Sequence, residues 1–273
     1  MLRGIQNYCP STLVAMSVEP AGARPSDALA AEAGAFLEAL EVTPPDALTK
    51  CAQWRAHEVT AHLGAGAVEI ALNLEAYAEG RPVPETRGFE ERKAPYRAME
   101  DAELRARLPR SIERVAGALD AVLGAEPDAV VPWTGRQMVV GSFVTHLRSE
   151  LALHRWDLVG DDETSRRLLD QPEITDHAVA VLGRALVARG APGAPAGLAA
   201  VIASPGTSDV AVVVDSDGPR LKRSDARLEP SVIGDPAARL LFLWGRQPGD
   251  PRRLSAPGGV EALATLRSLL AGY

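Results

Sequence analysis

Apolar positions along the chain recur first at helical spacing and later at strand spacing. Ser26 or Asp27 caps an Ala/Leu/Glu run to about Val42, which predicts a helix ended by Pro44 and Pro45. Trp54 to Gly80 carries the strongest helical pattern, with Val59, Leu63, Gly66, Ile70, Leu74 and Tyr77 at steps of three and four. A loop rich in Pro, Arg and Glu is expected from Arg81 to Pro95. A third helix is expected from Asp101 to Leu123 and a fourth from about Val139 to Val159, with Phe143, Leu147, Leu151 and Leu158 on one side. No strand signal separates these four, so they read as a four-helix bundle.

The texture then changes. Gly160 to Pro172 is polar and acidic, a candidate linker. A helix from Ile174 to Arg189 leads into a Pro/Gly/Ala turn region over Gly190–Gly197. Short β-type runs follow at Gly197–Ala203, Asp209–Asp215 and Arg227–Ile233. Asp235-Pro236 opens a helix through Trp244, and a last helix is expected over Gly258–Ala271. The expected fold class is therefore α+β: a loose leader over 1–25, a helical bundle over 26–165, and a small α+β domain over 166–273. Met16, before a Pro/Gly/Arg stretch, competes with Met1 as the start.

Composition narrows the function. The 273 residues are 46% hydrophobic and 24% charged, as in a globular protein. A net charge of −7 leaves no basic surplus for phosphate backbones, so no nucleic-acid partner is expected. No apolar stretch approaches a bilayer span, and no signal peptide is read, so no membrane partner is expected. Two cysteines, Cys9 and Cys51, make no disulfide framework, and the reading is a reduced, cytoplasmic protein.

Candidate chemistry concentrates in the fourth helix. There is no phosphate-binding Gly-rich loop, no GxSxG elbow and no Cys-x-x-Cys. His57 and His62 are five residues apart, roughly 140° around a helix, too far to share a metal on one face. His57 is expected to be a solvated helix histidine. Glu150 follows Phe143 by seven residues and His154 follows Leu147 by seven, so both polar groups take core positions, one helical turn from each other. A buried carboxylate demands a partner. A metal supplies one, and imidazole beside carboxylate suits zinc; His62, pointing inward from the second helix, completes a His₂Glu set with a fourth position open. A buried Glu–His hydrogen bond beside an ordinary core histidine also accounts for the spacing.

Three motifs carry a resemblance. Cys51-Ala52-Gln53-Trp54 through Val59-Thr60-Ala61-His62-Leu63 resembles the C-x-x-W…V-x-x-HL signature of the mycothiol-dependent maleylpyruvate isomerase family. Glu150-x-x-x-His154-Arg155-Trp156-Asp157-Leu158 is similar to its second signature, and Leu240 through Arg246 to its C-terminal one. Ala52-Gln53 stands where Pro-Gly is usual, and His57 where an acid is common. The resemblance implies a DinB-like metal-binding bundle followed by a sterol-carrier-protein-like domain. It further implies one zinc on His62, Glu150 and His154, mycothiol as cosubstrate, and Arg246 reaching a pocket between the domains.

The expected activity is then that of a zinc enzyme in which a low-molecular-weight thiol attacks an electrophilic small molecule. Arg246 would clamp a carboxylate of the substrate or thiol. Asp157 either orients a ligand histidine or pairs with Arg155. Cys51 is expected as a small buried hydrophobe with no base nearby, and Trp54 and Trp156 as packing residues. His146 is expected as a partly exposed histidine, or a group behind the ligands. Nothing in the sequence selects isomerase over S-transferase, and the oligomeric state is not legible. The rival from another class is a non-catalytic small-molecule-binding module with a structural metal or none; His146 as a fourth ligand would favour it.

Overall fold

The computed structural model describes residues 24–51, 54–183, 197–224 and 228–271. Four long helices form the bundle: α1 (Pro25–Val42), α2 (Ala56–Ala78), α4 (Asp101–Ala125) and α5 (Ser142–Val159). Helix α1 begins one residue before the expected cap, with Pro25 in its first turn and the Asp27 carboxylate accepting from the Arg24 amide at 3.2 Å. Leu29, Ile70, Leu74, Val115, Leu119 and Phe143 fill one end of the bundle. Phe36, Val59, Leu63, Leu108 and Leu151 fill the other. Most of the leader, residues 1–23, lies outside the described residues.

Two elements interrupt the expected helices. The Arg81–Pro95 loop contains α3 (Phe89–Arg97), which continues through Pro95 and buries Lys93 and Tyr96. Its period was hidden by the proline, a residue that ordinarily ends a helical pattern. Between α4 and α5 runs a hairpin, β1 (Val130–Trp133) with β2 (Arg136–Val139). Thr134 and Gly135, at φ 48° and 78°, form its two-residue turn, in the conformation that suits strand twist. The bundle is thus not free of strands.

The expected linker is also ordered. It holds α6 (Glu163–Leu169), capped by Asp162, and the start of α7 (Pro172–Leu182). The predicted continuation of α7 to Arg189, and the turn region after it up to residue 196, lie outside the described residues. Beyond them a five-stranded sheet has the order β5-β4-β3-β6-β7. Its strands are β3 (Ala199–Ala203), β4 (Asp209–Asp215), β5 (Gly218–Ser224), β6 (Val232–Gly234) and β7 (Leu254–Ser255). Only β3–β6 is parallel, with Ile202 opposite Val232. Edge strand β5, Gly-Pro-Arg-Leu-Lys-Arg-Ser, escaped notice because it has one apolar residue facing the core, Leu221.

Helix α8 (Pro236–Leu243) is capped by Asp235, whose carboxylate accepts from the Ala238 amide at 2.9 Å, and α9 (Gly259–Leu269) closes the chain. One apolar cluster joins Leu153 and Trp156 of α5, Leu168 and Leu169 of α6, the sheet, and Leu240–Leu243 of α8. Helix α5 therefore carries the bundle core on one face and this second core on another. The end of α8 turns sharply: the Gly245 amide bonds to the Phe242 carbonyl at 3.0 Å and the Arg246 amide to that of Leu241 at 2.8 Å. Gly245 has φ 69°, and a Cβ there would lie 2.4 Å from the Leu270 carbonyl oxygen, so glycine is required. That turn directs Arg246 back to α5.

Candidate metal centre

His62 on α2 meets Glu150 and His154 on α5 where the two helices face each other. His62 Nε2 lies 2.8 Å from Glu150 Oε2, and His154 Nε2 lies 3.6 Å from the same oxygen. One potential ligand atom from each of the three falls within 4.8 Å of the others. Two imidazoles and a carboxylate make a donor set of the kind that takes zinc, so the residues fit the ion.

A second layer fixes the set. His154 Nδ1 lies 2.8 Å from Asp157 Oδ2, which leaves Nε2 facing Glu150. Asp157 is fully buried and is gripped from the other side by Arg246, Nε to Oδ1 at 2.7 Å and Nη2 to Oδ2 at 2.6 Å. Arg246 Nη1 donates to the Trp244 carbonyl at 3.1 Å. Of the two alternatives for Asp157, the structure has the histidine partner. Arg155 instead pairs with Asp162 at 2.7 Å. Arg246 is expected to clamp a ligand carboxylate; in this structure its two-pronged grip is on Asp157.

Burial alone pushes the Glu150 carboxyl up, but hydrogen bonds to His154 and His62 outweigh it and hold it well below the usual range. Burial pulls both histidines down. It prevails at His62, whereas Asp157 and Glu150 turn the balance upward at His154. Burial raises Asp157 too, and the Arg246 and His154 hydrogen bonds bring it below its ordinary value. The group is thus a chain of polar contacts, Glu150–His154–Asp157–Arg246, anchored in both halves of the molecule.

Aromatic rings wall the donors. Trp54 stacks on His154 with ring centres 5.9 Å apart and lies 5.2 Å from His62, and Phe89 lies 5.5 Å from His62. Lys93 Nζ sits over Phe89 at 3.8 Å and over Trp54 at 4.2 Å. Trp54 is therefore a wall of the site as well as a packing residue, whereas Trp156 is buried with its indole N–H donating to Asp161.

Cys51 was expected to have no base nearby, yet it groups with His154 and Asp157 within the same 4.8 Å limit. Burial pushes its thiol up to about 11. The loop places it there, since the Lys50 amide bonds to the Asp157 carbonyl at 2.9 Å. His57 is not simply solvated: it lies 3.0 Å from the Asp101 carboxylate and 3.1 Å from the Arg97 carbonyl, joining α2 to the α3–α4 corner. His146 does not stand alone either, because its Nδ1 lies 3.2 Å from Nε2 of His177 on α7. Phe89, Arg92, Lys93 and His177 were missed. Phe89, Arg92 and Lys93 fall at i, i+3 and i+4, a helical signal that Pro95 obscured.

The fold is a helical bundle in which His62, Glu150 and His154 form a group that could hold a metal ion, with an α+β half bracing His154 through Arg246 and Asp157. Residues 26–159 match the family model of the mycothiol maleylpyruvate isomerase N-terminal domain, and this part of the chain belongs to that domain family. The fold is similar to the crystal structure of the mycothiol-dependent maleylpyruvate isomerase, at TM-score 0.62 and 15% identity over 86% of this chain and 92% of that one. A histidine-to-alanine mutant of the isomerase matches at TM-score 0.61, with the same identity and coverage. A search of the curated proteins finds no match.

Proposed function

We propose that the chain is a zinc enzyme using mycothiol against an electrophilic small molecule, as a maleylpyruvate-isomerase-type cis–trans isomerase or a mycothiol S-transferase. The observation that carries the reading is the convergence of His62, Glu150 and His154, with Asp157 and Arg246 fixing His154 from behind. Bound there, zinc would supply a Lewis acid that lowers the pKa of a coordinating thiol, making thiolate available near neutral pH.

The residues of the chain do the rest of the work. His62, Glu150 and His154 would hold the ion, a three-residue set of the kind that leaves room for a further ligand. Asp157 keeps the His154 proton on Nδ1, so that Nε2 offers its lone pair. Arg246 holds Asp157 charged and oriented, which makes it a positioning residue. Trp54 and Phe89 pack against the imidazoles on one side. The domain division near residue 165 belongs to the same reading: residues 26–165 supply the donors and residues 166–273 supply Arg246.

Small-molecule partners and a cytoplasmic location belong to the same reading. No helix among the described residues is long and apolar enough to cross a membrane. The test is elemental analysis of the purified protein followed by incubation with mycothiol and maleylpyruvate. The expected result is about one zinc per chain and thiol-dependent turnover. Recovery of mycothiol unchanged marks an isomerase, and its stoichiometric consumption marks a transferase. Folded protein that neither contains nor binds zinc overturns the reading.

A further inference from the structure

Arg92 has no acceptor for Nη1 of its guanidinium. It lies on α3 between two ring faces, 5.5 Å from the centre of Trp133 and 5.7 Å from that of Phe89. Phe89 is the ring that touches His62, so the cation stands one aromatic residue away from the donor set. Its Nη1 is buried and unpaired. The nearby carboxylates are engaged elsewhere: Glu69 is held by Arg87 through contacts of 2.6 to 2.9 Å, and Glu150 by His62. Its neighbour Lys93 has Glu90 at 3.5 Å. Every guanidinium nitrogen of Arg246 donates a hydrogen bond, whereas Nη1 of Arg92 donates none.

We propose that Arg92 is the carboxylate-binding residue of this site, taking an anionic group of the electrophilic substrate. The inference rests on the function proposed above, and deepens it by naming the residue that receives the substrate's carboxylate. A guanidinium offers a planar fork matched to two carboxylate oxygens, and one flanked by rings is already oriented for that approach. The side chain is only partly buried, so a small anion has a side from which to reach it. An acceptor for Nη1 would also relieve a buried donor of its lost hydration. With Phe89 beneath both Arg92 and Lys93, α3 acts as a cationic wall facing the metal ligands.

The experiment titrates maleate, a small cis-dicarboxylate, calorimetrically into the purified protein and into its Arg92→Gln and Arg92→Lys variants, with zinc content and melting temperature measured on each. Arg92→Gln should weaken maleate by about ten- to hundredfold, the loss of a charged hydrogen-bonded pair, at unchanged zinc content. Arg92→Lys should fall between it and wild type, since charge is kept and the fork is lost. A structural role alone would lower the melting temperature of Arg92→Gln and leave maleate affinity intact, and that result overturns the proposal. Absence of maleate binding by the wild-type protein overturns it as well. Arg92-dependent maleate binding by protein that cannot bind zinc would leave this subsite standing while removing the proposed zinc enzyme.

Discussion

Arg246 and Arg92 both lie beside the donor set, and their guanidinium groups are in opposite states. Arg246 grips a fully buried carboxylate with two prongs and gives a third bond to a backbone carbonyl. Arg92 rests between aromatic faces with a buried nitrogen that bonds to nothing. The first is part of the scaffold, because it already has its anion; the second is left for an anion the chain does not supply. A motif match alone had assigned ligand binding to Arg246, because sequence shows where a charge is but not whether its partner is another part of the chain.

The sharpest way to break this contrast is to substitute on the two sides of His154. Glu150→Ala and His62→Ala remove donors, and each should abolish stoichiometric zinc binding, read by elemental analysis. Glu150→Ala should not greatly lower the melting temperature of the metal-free protein, since it takes a buried charge away, whereas His62→Ala leaves that carboxylate short of a partner. Asp157→Ala strikes the other side. It strands the Arg246 charge in a buried place and should cost about 3–5 kcal/mol of stability, seen in urea unfolding, while zinc affinity falls about 10- to 100-fold through His154. Equal stability loss from Glu150→Ala and Asp157→Ala would show that the two sides do not differ.

Arg246→Lys is the next largest effect. Were Arg246 a free ligand clamp, lysine would leave melting temperature unchanged and reduce turnover alone. Because its fork is bonded to buried Asp157, lysine should instead destabilise the fold by about 2–3 kcal/mol. A wild-type melting temperature in this variant would return Arg246 to the ligand-binding role and remove the contrast with Arg92.

That His62, Glu150 and His154 meet was legible in the sequence, and for a physical reason. His62, Glu150 and His154 are polar residues in apolar helical stripes, and seven- and four-residue spacings translate directly into one face of a helix. The long helices and β4 were legible on the same ground, by period. Helix α3 was not, because nine residues with a proline give too few repeats to register, and Arg92 and Lys93 went with it. Nor were the pairings of Cys51 with His154, His146 with His177, and Asp157 with Arg246. Those depend on how α5 meets a loop, α7 and the end of α8, and no local pattern encodes such meetings.

His177 gives a test by pH of the packing behind the donor helix. It is buried on α7 against His146, and burial together with that neighbour pulls its imidazole down to about 3. In the unfolded chain it titrates near 6.5, about the ordinary value. Between those two values the unfolded state binds a proton that the folded state refuses, so stability falls as pH drops below about 6.5. The slope should approach about 1.4 kcal/mol per pH unit. Comparing urea unfolding at successive pH values in wild type and His177→Gln isolates this residue. The variant should show a shallower acid slope by about one proton, and an identical slope would mean that His177 takes up its proton in place.

The smallest expected effect belongs to the histidine that the donor set leaves out. His57 lies on the same helix as His62, five residues earlier, and is turned toward Asp101 and the Arg97 carbonyl rather than toward α5. His57→Ala should therefore leave zinc content and maleate affinity as in wild type. It removes a two-point link between α2 and the α3–α4 corner, worth about 1 kcal/mol for hydrogen bonds of this kind, or about 2–4 °C in melting temperature for a chain of this size. Because α3 carries Arg92, a looser corner has one further consequence that can be read. If His57→Ala also weakened maleate, the orientation of Arg92 would depend on the link, and α3 would be held in place from its C-terminal end. If it weakened zinc instead, the division between His62 as donor and His57 as staple would fail, and with it the geometry from which both roles were argued.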